Sequence, residues 1–179
     1  WKRGSPAAPI SGATNATLEL ANLTLADADT YQVDVTNDVG TTPSRVASVT
    51  VLDVRATHAL AAASAAGYAP GKTVTITNSI TFAGPAPTDL GWLAMLPTGW
   101  SFASDAGTAP QTKPAVNSTG LLEWTWTTIP TTSPVTFTYT LNVPADATGA
   151  QSITGQARIT QNGATGLILA KNDPLIVPA

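Results

Sequence analysis

Trp124 and Trp126 alternate along one stretch, so both indoles face the same side of an extended chain. Trp92 and Trp100 come shortly before them. Flat rings sharing one face can stack sugars, which makes Trp124 and Trp126 the candidate glycan platform. The same alternation builds a packed core, so the platform requires at least one of the two rings to be exposed. Other candidates for chemistry are sparse. His58 is the sole histidine and there is no cysteine. A metal centre or a Ser-His-Asp triad needs several converging polar groups, and His58, close to Arg55, reads as a surface or junction residue. Asp27, Asp29, Asp34 and Asp38 are oxygen-rich enough to suggest Ca²⁺. Their spacing does not match an EF-hand loop, and they read as solvated turn carboxylates. Glu19 and Glu123 are the only glutamates. A glycosidase pair stands about 5–10 Å apart in a cleft, and nothing in the sequence brings these two together. The glycines are scattered at turns and form no phosphate loop. No catalytic constellation, cofactor or metal is expected.

Composition agrees. The chain has 179 residues, 8 basic and 11 acidic side chains, and a formal net charge of −3. Charged residues are 11% of the total, under half the usual quarter. No basic excess exists to neutralise phosphates, so nucleic acid is not an expected partner. No apolar run approaches the roughly 20 residues of a membrane helix. Thr and Ala number 30 each, and Gly and Pro 14 each. Such a chain reads as an all-β secreted or cell-surface protein, and it points away from an enzyme. The chain starts at Trp1 with no charged leader, which suggests a mature product or an excised fragment. Three Asn-x-Ser/Thr triplets, at Asn15, Asn22 and Asn117, are weak glycosylation signals.

The elements that must position these residues are strands. Short apolar/Thr alternations are separated by Pro, Gly, Asn and Asp, the pattern of sandwich strands. They predict strands at 16–20, 31–36, 46–52, 73–81, 90–95, 121–127, 134–142, 151–160 and 166–170. The spaces between predict long loops at 83–89 and 104–119. The Ala-rich run Ala59 to Ala66 is short and closely followed by Gly67 and Pro70, so it reads as strand or strand-plus-turn. A boundary is expected near residue 54, giving segments 1–54 and 55–179. Charge divides there too: residues 1–54 carry three basic and six acidic groups, and residues 55–179 carry five of each.

Residues 27–37, Asp-Ala-Asp-Thr-Tyr-Gln-Val-Asp-Val-Thr-Asn, resemble the E–F corner and strand F of immunoglobulin domains. Tyr31 falls at the tyrosine corner, and Val33 where the second Cys would stand. Trp1-Lys-Arg-Gly resembles the strand C Trp and its turn. Residues 10–14 and 16–20 resemble the C′–E region, and Asn37-Asp38-Val39-Gly40 the F–G turn. The resemblance covers 1–52 and is closest to Cys-less repeats of large secreted bacterial proteins. It implies an incomplete domain, because strands A and B would precede Trp1. Strand B would normally cover Leu18, Leu20, Tyr31 and Val33, so these four mark the expected assembly edge. Truncation and strand complementation by a neighbouring subunit both explain the gap. The family's Asp, here Asp27, often pairs with an Arg. No basic residue lies between Arg3 and Arg45, so Asp27 is expected only to cap its turn.

In 55–179, Tyr68-x-Pro70-Gly71-x-x-Val74-x-Ile76-x-Asn78, Leu96-Pro97-x-Gly99-Trp100, Gly120-x-x-x-Trp124 and Thr136-x-Thr138-Tyr139-x-Leu141-x-Val143-Pro144 follow in order. This resembles the extracellular repeat domains of bacterial surface proteins. Together the resemblances imply two immunoglobulin-like or fibronectin-like β-sandwiches in tandem, the first incomplete. The expected function is a non-catalytic structural module, a filament or fibre subunit whose partners are further copies or neighbouring surface-protein domains. The rival is a carbohydrate-binding or adhesive accessory region of a larger secreted enzyme, with a glycan as partner.

Overall fold

The computed structural model describes residues 1–108 and 110–179; Ala109, inside the predicted 104–119 loop, lies outside the described residues. The protein is all-β, and its described helical content is two single 3₁₀ turns, Leu25–Asp27 and Ala62–Ser64. The chain divides into two compact units, residues 1–53 with 162–164 and residues 54–161 with 165–179.

Unit 1 carries β1 (Lys2–Arg3), β2 (Ala8–Pro9), β3 (Asp29–Gln32), β4 (Asp34–Asn37), β5 (Gly40–Pro43) and β6 (Ala47–Val49). Four of them form one antiparallel sheet in the order β2-β1-β3-β6. β4 and β5 form a separate hairpin, in which Asn37 pairs with Gly40. The two ladders meet at Val33, whose carbonyl accepts from Ser44 N at 2.7 Å and whose N–H donates to Ser44 Oγ at 3.1 Å. The predicted strand 31–36 is therefore interrupted at Val33. The predicted strand 16–20 does not form, and Leu18 and Leu20 lie on irregular backbone. Their alternation with polar residues is real, but no neighbouring strand among the described residues takes up their N–H and C=O groups.

Unit 2 carries β7 (Val54–Leu60), β8 (Thr73–Phe82), β9 (Asp89–Met95), β10 (Ser101–Gly107), β11 (Leu121–Thr125), β12 (Val135–Asn142), β13 (Gln151–Gln161), β14 (Ala164–Lys171) and β15 (Leu175–Val177). The ladder runs β10-β12-β8-β7-β14-β13-β9-β11, with β15 added to β13. Its halves join through a short parallel contact of Ala170 and Lys171 with Ala56 and Thr57. Rings from one half then meet rings from the other. Phe102 of β10 packs edge-on against Trp124 of β11, and Phe137 of β12 against Trp92 of β9. The result is a two-layer sandwich.

Strict period-2 patterning sets this layering. In β8, Val74, Ile76, Asn78, Ile80 and Phe82 point inward, while the intervening residues are Thr and Ser. The outward threonines have a definite use. Thr75 and Thr140, opposite one another on β8 and β12, share a hydroxyl bond of 3.0 Å. Thr36–Thr41 and Thr160–Thr165 do the same at 2.8 Å. Cross-strand Thr pairs support a ladder without adding charge, which accounts for a Thr-rich, charge-poor chain.

Edge strands invite unwanted pairing, and unit 2 covers both of its edges with one segment. On β10, Phe102 N donates to Ser118 O at 2.8 Å and Asn117 N to Phe102 O at 2.7 Å. On β11, Thr112 and Thr125 exchange two bonds of 2.9 and 3.1 Å. Lys113 pins the strap to β10 through Asp105 at 2.8 Å.

Candidate functional site

Each sequence-predicted site residue has a definite place. Trp124 and Trp126 are 0% and 1% exposed, and Trp92 and Trp100 are equally buried. The glycan platform is thereby corrected: neither ring can meet a sugar, because both fill the sandwich interior. Trp124 stacks on Tyr139 with centroids 4.9 Å apart. Trp126 meets Phe137 edge-on at 5.3 Å and donates its Nε1–H to Thr108 O at 3.1 Å. Offset and edge-on contacts of this kind suit aromatic quadrupoles and add to the area that the rings bury.

In unit 1, Tyr31 is 4% exposed and its hydroxyl donates to Asp27 O at 3.0 Å. That bond, reaching four residues back, is the tyrosine-corner geometry. Asp27 closes its turn by accepting from Thr24 N and Thr24 Oγ1 at 2.8 and 2.9 Å. It does more than cap. Arg3, on β1 beside β3, reaches Asp29 at 3.0 Å and Asp27 at 3.7 Å, and also donates to Ala26 O. The Arg partner therefore exists, supplied by a strand 24 to 26 residues away. The Thr24 main-chain N–H holds the Asp27 carboxyl below its ordinary range, with Arg3 assisting. The Thr30 N–H and then Arg3 do the same for Asp29. Asp34 turns to a different partner, Lys2, at 2.5 Å. Asp27 and Asp29 thus share Arg3, while Asp34 pairs with Lys2. Replacing Tyr31 by Phe removes a single half-buried bond, so unit 1 should lose about 0.5–1.5 kcal/mol. Urea unfolding followed at unit 1 resonances measures this, and an unchanged midpoint would show that the bond contributes nothing.

The four expected edge residues do not form one edge. Tyr31 lies inside β3, Val33 sits at the break between β3 and β4, and Leu18 and Leu20 are outside any strand. The edges of the four-stranded sheet are β2 and β6.

The outer face of unit 2 carries a charged clamp. Arg158 of β13 bonds Asp89 of β9 at 2.9 Å, Thr125 of β11 at 3.2 Å, and Glu123 of β11. Gly91 makes room for it, since a Cβ there would lie 3.2 Å from the guanidinium carbon. Glu123, one of the two glutamates considered for acid/base work, is thus engaged across three strands. Glu19 is exposed in unit 1. Among the described residues no group of three or more His, Asp or Glu side chains could hold a metal ion.

His58 is corrected as well. It is 1% exposed, on the inward face of β7 in step with Ala56, and not at the surface. Its Nε2 lies 3.6 Å from Asp173 Oδ1, and the Trp92 ring lies edge-on at 6.3 Å. The signal was present in the alternation Ala56-x-His58-x-Leu60. Asp173 also lines a shallow surface pocket of about 200 Å³ with Leu93, Met95, Leu121 and Leu169.

No protein-family model matches the chain, and no curated protein matches it. Among solved structures, the chain is similar to the full-length major pilin SpaD from Corynebacterium diphtheriae, with a TM-score of 0.48 and 9% identity, over 66% of this chain and 33% of that one. It is also similar to BcpA, the major pilin subunit of Bacillus cereus, with a TM-score of 0.49 and 9% identity, over 83% of this chain and 48% of that one. A third is the Actinomyces fimbrial adhesin FimA, with a TM-score of 0.40 and 13% identity, over 68% and 54%. The chain thus spans about a third to a half of the length of these proteins. No described helix is long and apolar enough to cross a membrane.

Proposed function

We propose that this chain is a non-catalytic structural module of an extracellular bacterial surface protein, a fibre subunit that assembles by strand complementation. The placement of the candidate functional groups supports this role. All four tryptophans of unit 2, with Phe102, Phe137 and Tyr139, fill its interior. Of the acidic groups weighed for chemistry, Asp27, Asp29, Asp34 and Glu123 pair with Arg or Lys. Residues so engaged brace a scaffold.

Strand completion draws on unit 1. Its sheet order β2-β1-β3-β6 corresponds to C′-C-F-G of an immunoglobulin sandwich, and Tyr31 occupies the corner that such a sandwich uses. The opposing sheet has no counterpart among residues 1–53. Val35, Val39 and Val46 are exposed apolar side chains of this unit. A unit of about 50 residues buries little surface alone, so added strands would stabilise it.

Immunogold labelling of intact cells of the source organism tests the location. Gold along surface fibres of unpermeabilised cells is the expected result. Label that appears only after permeabilisation would overturn the proposal.

A further inference from the structure

We infer that His58 and Asp173 form an acid-sensitive latch that holds strand β15 in the sandwich of unit 2. The geometry is unusual for an interior. The His58 side chain is fully buried, and neither ring nitrogen makes a hydrogen bond of good geometry, although the Asn172 main chain lies close enough to act on the ring. A buried polar group left in this state costs free energy, so something must hold the ring there. The cover is the turn between β14 and β15. Asp173 Oδ1 stands 3.6 Å from His58 Nε2 and accepts from Gly155 N at 2.6 Å.

That second bond is the structural key. β13 pairs with β15 over Gln151–Ile153. Just beyond, at Gly155, the Asp173 carboxylate takes the place that a strand carbonyl would occupy. The carboxylate therefore closes a gap in the ladder and anchors the start of β15 at the same time. Gly155 leaves space for the imidazole, since a Cβ there would lie 2.7 Å from His58 Nδ1 and 2.8 Å from Trp92 Cζ2.

Few charges bear on the ring. Asn78 of β8 is its register partner, Trp92 of β9 is neutral, and Tyr139 of β12 stays protonated because burial pushes its phenol far up. Asp173 is the carboxylate that faces it, and Lys171 at the end of β14 is exposed. Burial holds the imidazole below its ordinary value, opposed by Asp173 and then by the Asn172 main chain.

The sign follows. A state with His58 hydrated titrates near the ordinary value of about 6.5. The closed state binds that proton less readily. The latch is therefore fully favoured above about pH 6.5 and weakens as pH falls below it. Lifting residues 172–177 hydrates His58 without dismantling the aromatic core, so β15 opens first.

The test is amide hydrogen exchange on the 1–179 chain at pH 7.5 and 5.5, expressed as opening constants, with the His58 ring followed by NMR. His58 is the only histidine, so its resonances are unambiguous. The β13–β15 amides, including Gly155, should open more readily at pH 5.5, by up to tenfold per pH unit for one proton. Their opening should track protonation of the ring, and the β8–β12 amides should stay protected. In His58→Gln the pH dependence should vanish. A ring that titrates at its ordinary value while β15 stays protected overturns the latch. So does acid opening that persists in His58→Gln or spreads evenly over the sandwich. If His58→Gln does not fold, the wild-type ring titration and exchange pattern decide by themselves.

Discussion

Replacing Phe137 by Ala should destabilise unit 2 by about 3–5 kcal/mol. Phe137 is 1% exposed, and its ring meets Trp92, Trp124, Trp126 and Tyr139 at centroid distances of 5.9, 5.8, 5.3 and 6.4 Å. Truncation removes one buried ring and leaves a void lined by four large, rigid neighbours. Such neighbours relax poorly, which places the cost at the high end for core truncations. Urea unfolding read by tryptophan fluorescence measures it, and the midpoint should fall with little change in slope. The exposed Leu167, 57% accessible on β14, is the control; its change to Ala should stay within about 0.5 kcal/mol. A loss below about 1 kcal/mol for Phe137→Ala would mean that the rings do not form one packed core.

Gly67→Ala should have the next largest effect, by a different mechanism. Gly67 has φ +105°, and a Cβ there would lie 2.2 Å from Pro178 O. The same carbonyl accepts from Tyr68 N at 2.9 Å. Left-handed backbone costs a residue with a Cβ about 1–2 kcal/mol, and forced overlap adds about 1–3 kcal/mol. Because the obstruction is main chain, relief requires the segment after β15 to move. Exchange of the Tyr68 amide and of Gln151–Ile153 should therefore accelerate well beyond that of β8. Gly163, in the Asn162-Gly163 turn of the β13–β14 hairpin, has φ +76° with nothing within 4 Å of a Cβ. Gly163→Ala should cost only about 1–2 kcal/mol. Equal effects at both glycines would contradict close docking of Pro178 at Gly67.

The strands of unit 2 were largely legible because each buries one face. Alternation in Thr73–Phe82 and Val135–Asn142 carries its own register. Three strands were missed, β7, β10 and the three-residue β15 (Leu175–Val177). β7 alternates small Ala with polar residues, so its inward face carries little hydrophobic signal. β10 continues through Ser104, Asp105 and Ala106, which read as loop residues yet extend the pairing with β12. Unit 1 was the opposite case. The Leu18/Leu20 alternation resembles a strand, but pattern does not reveal whether a partner strand is present. The Arg3 pairs were hidden for a related reason: they depend on β1 lying beside β3, and topology is not a local property. For the tryptophans, spacing identified the shared face but not which side of the sheet it occupied. His58 was misplaced because its polarity outweighed its period.

Negative-stain electron microscopy of the native material, alongside its sedimentation, tests whether this chain is a fibre subunit. Regular fibres in which this chain repeats are the expected result. Dispersed single-copy particles would contradict it.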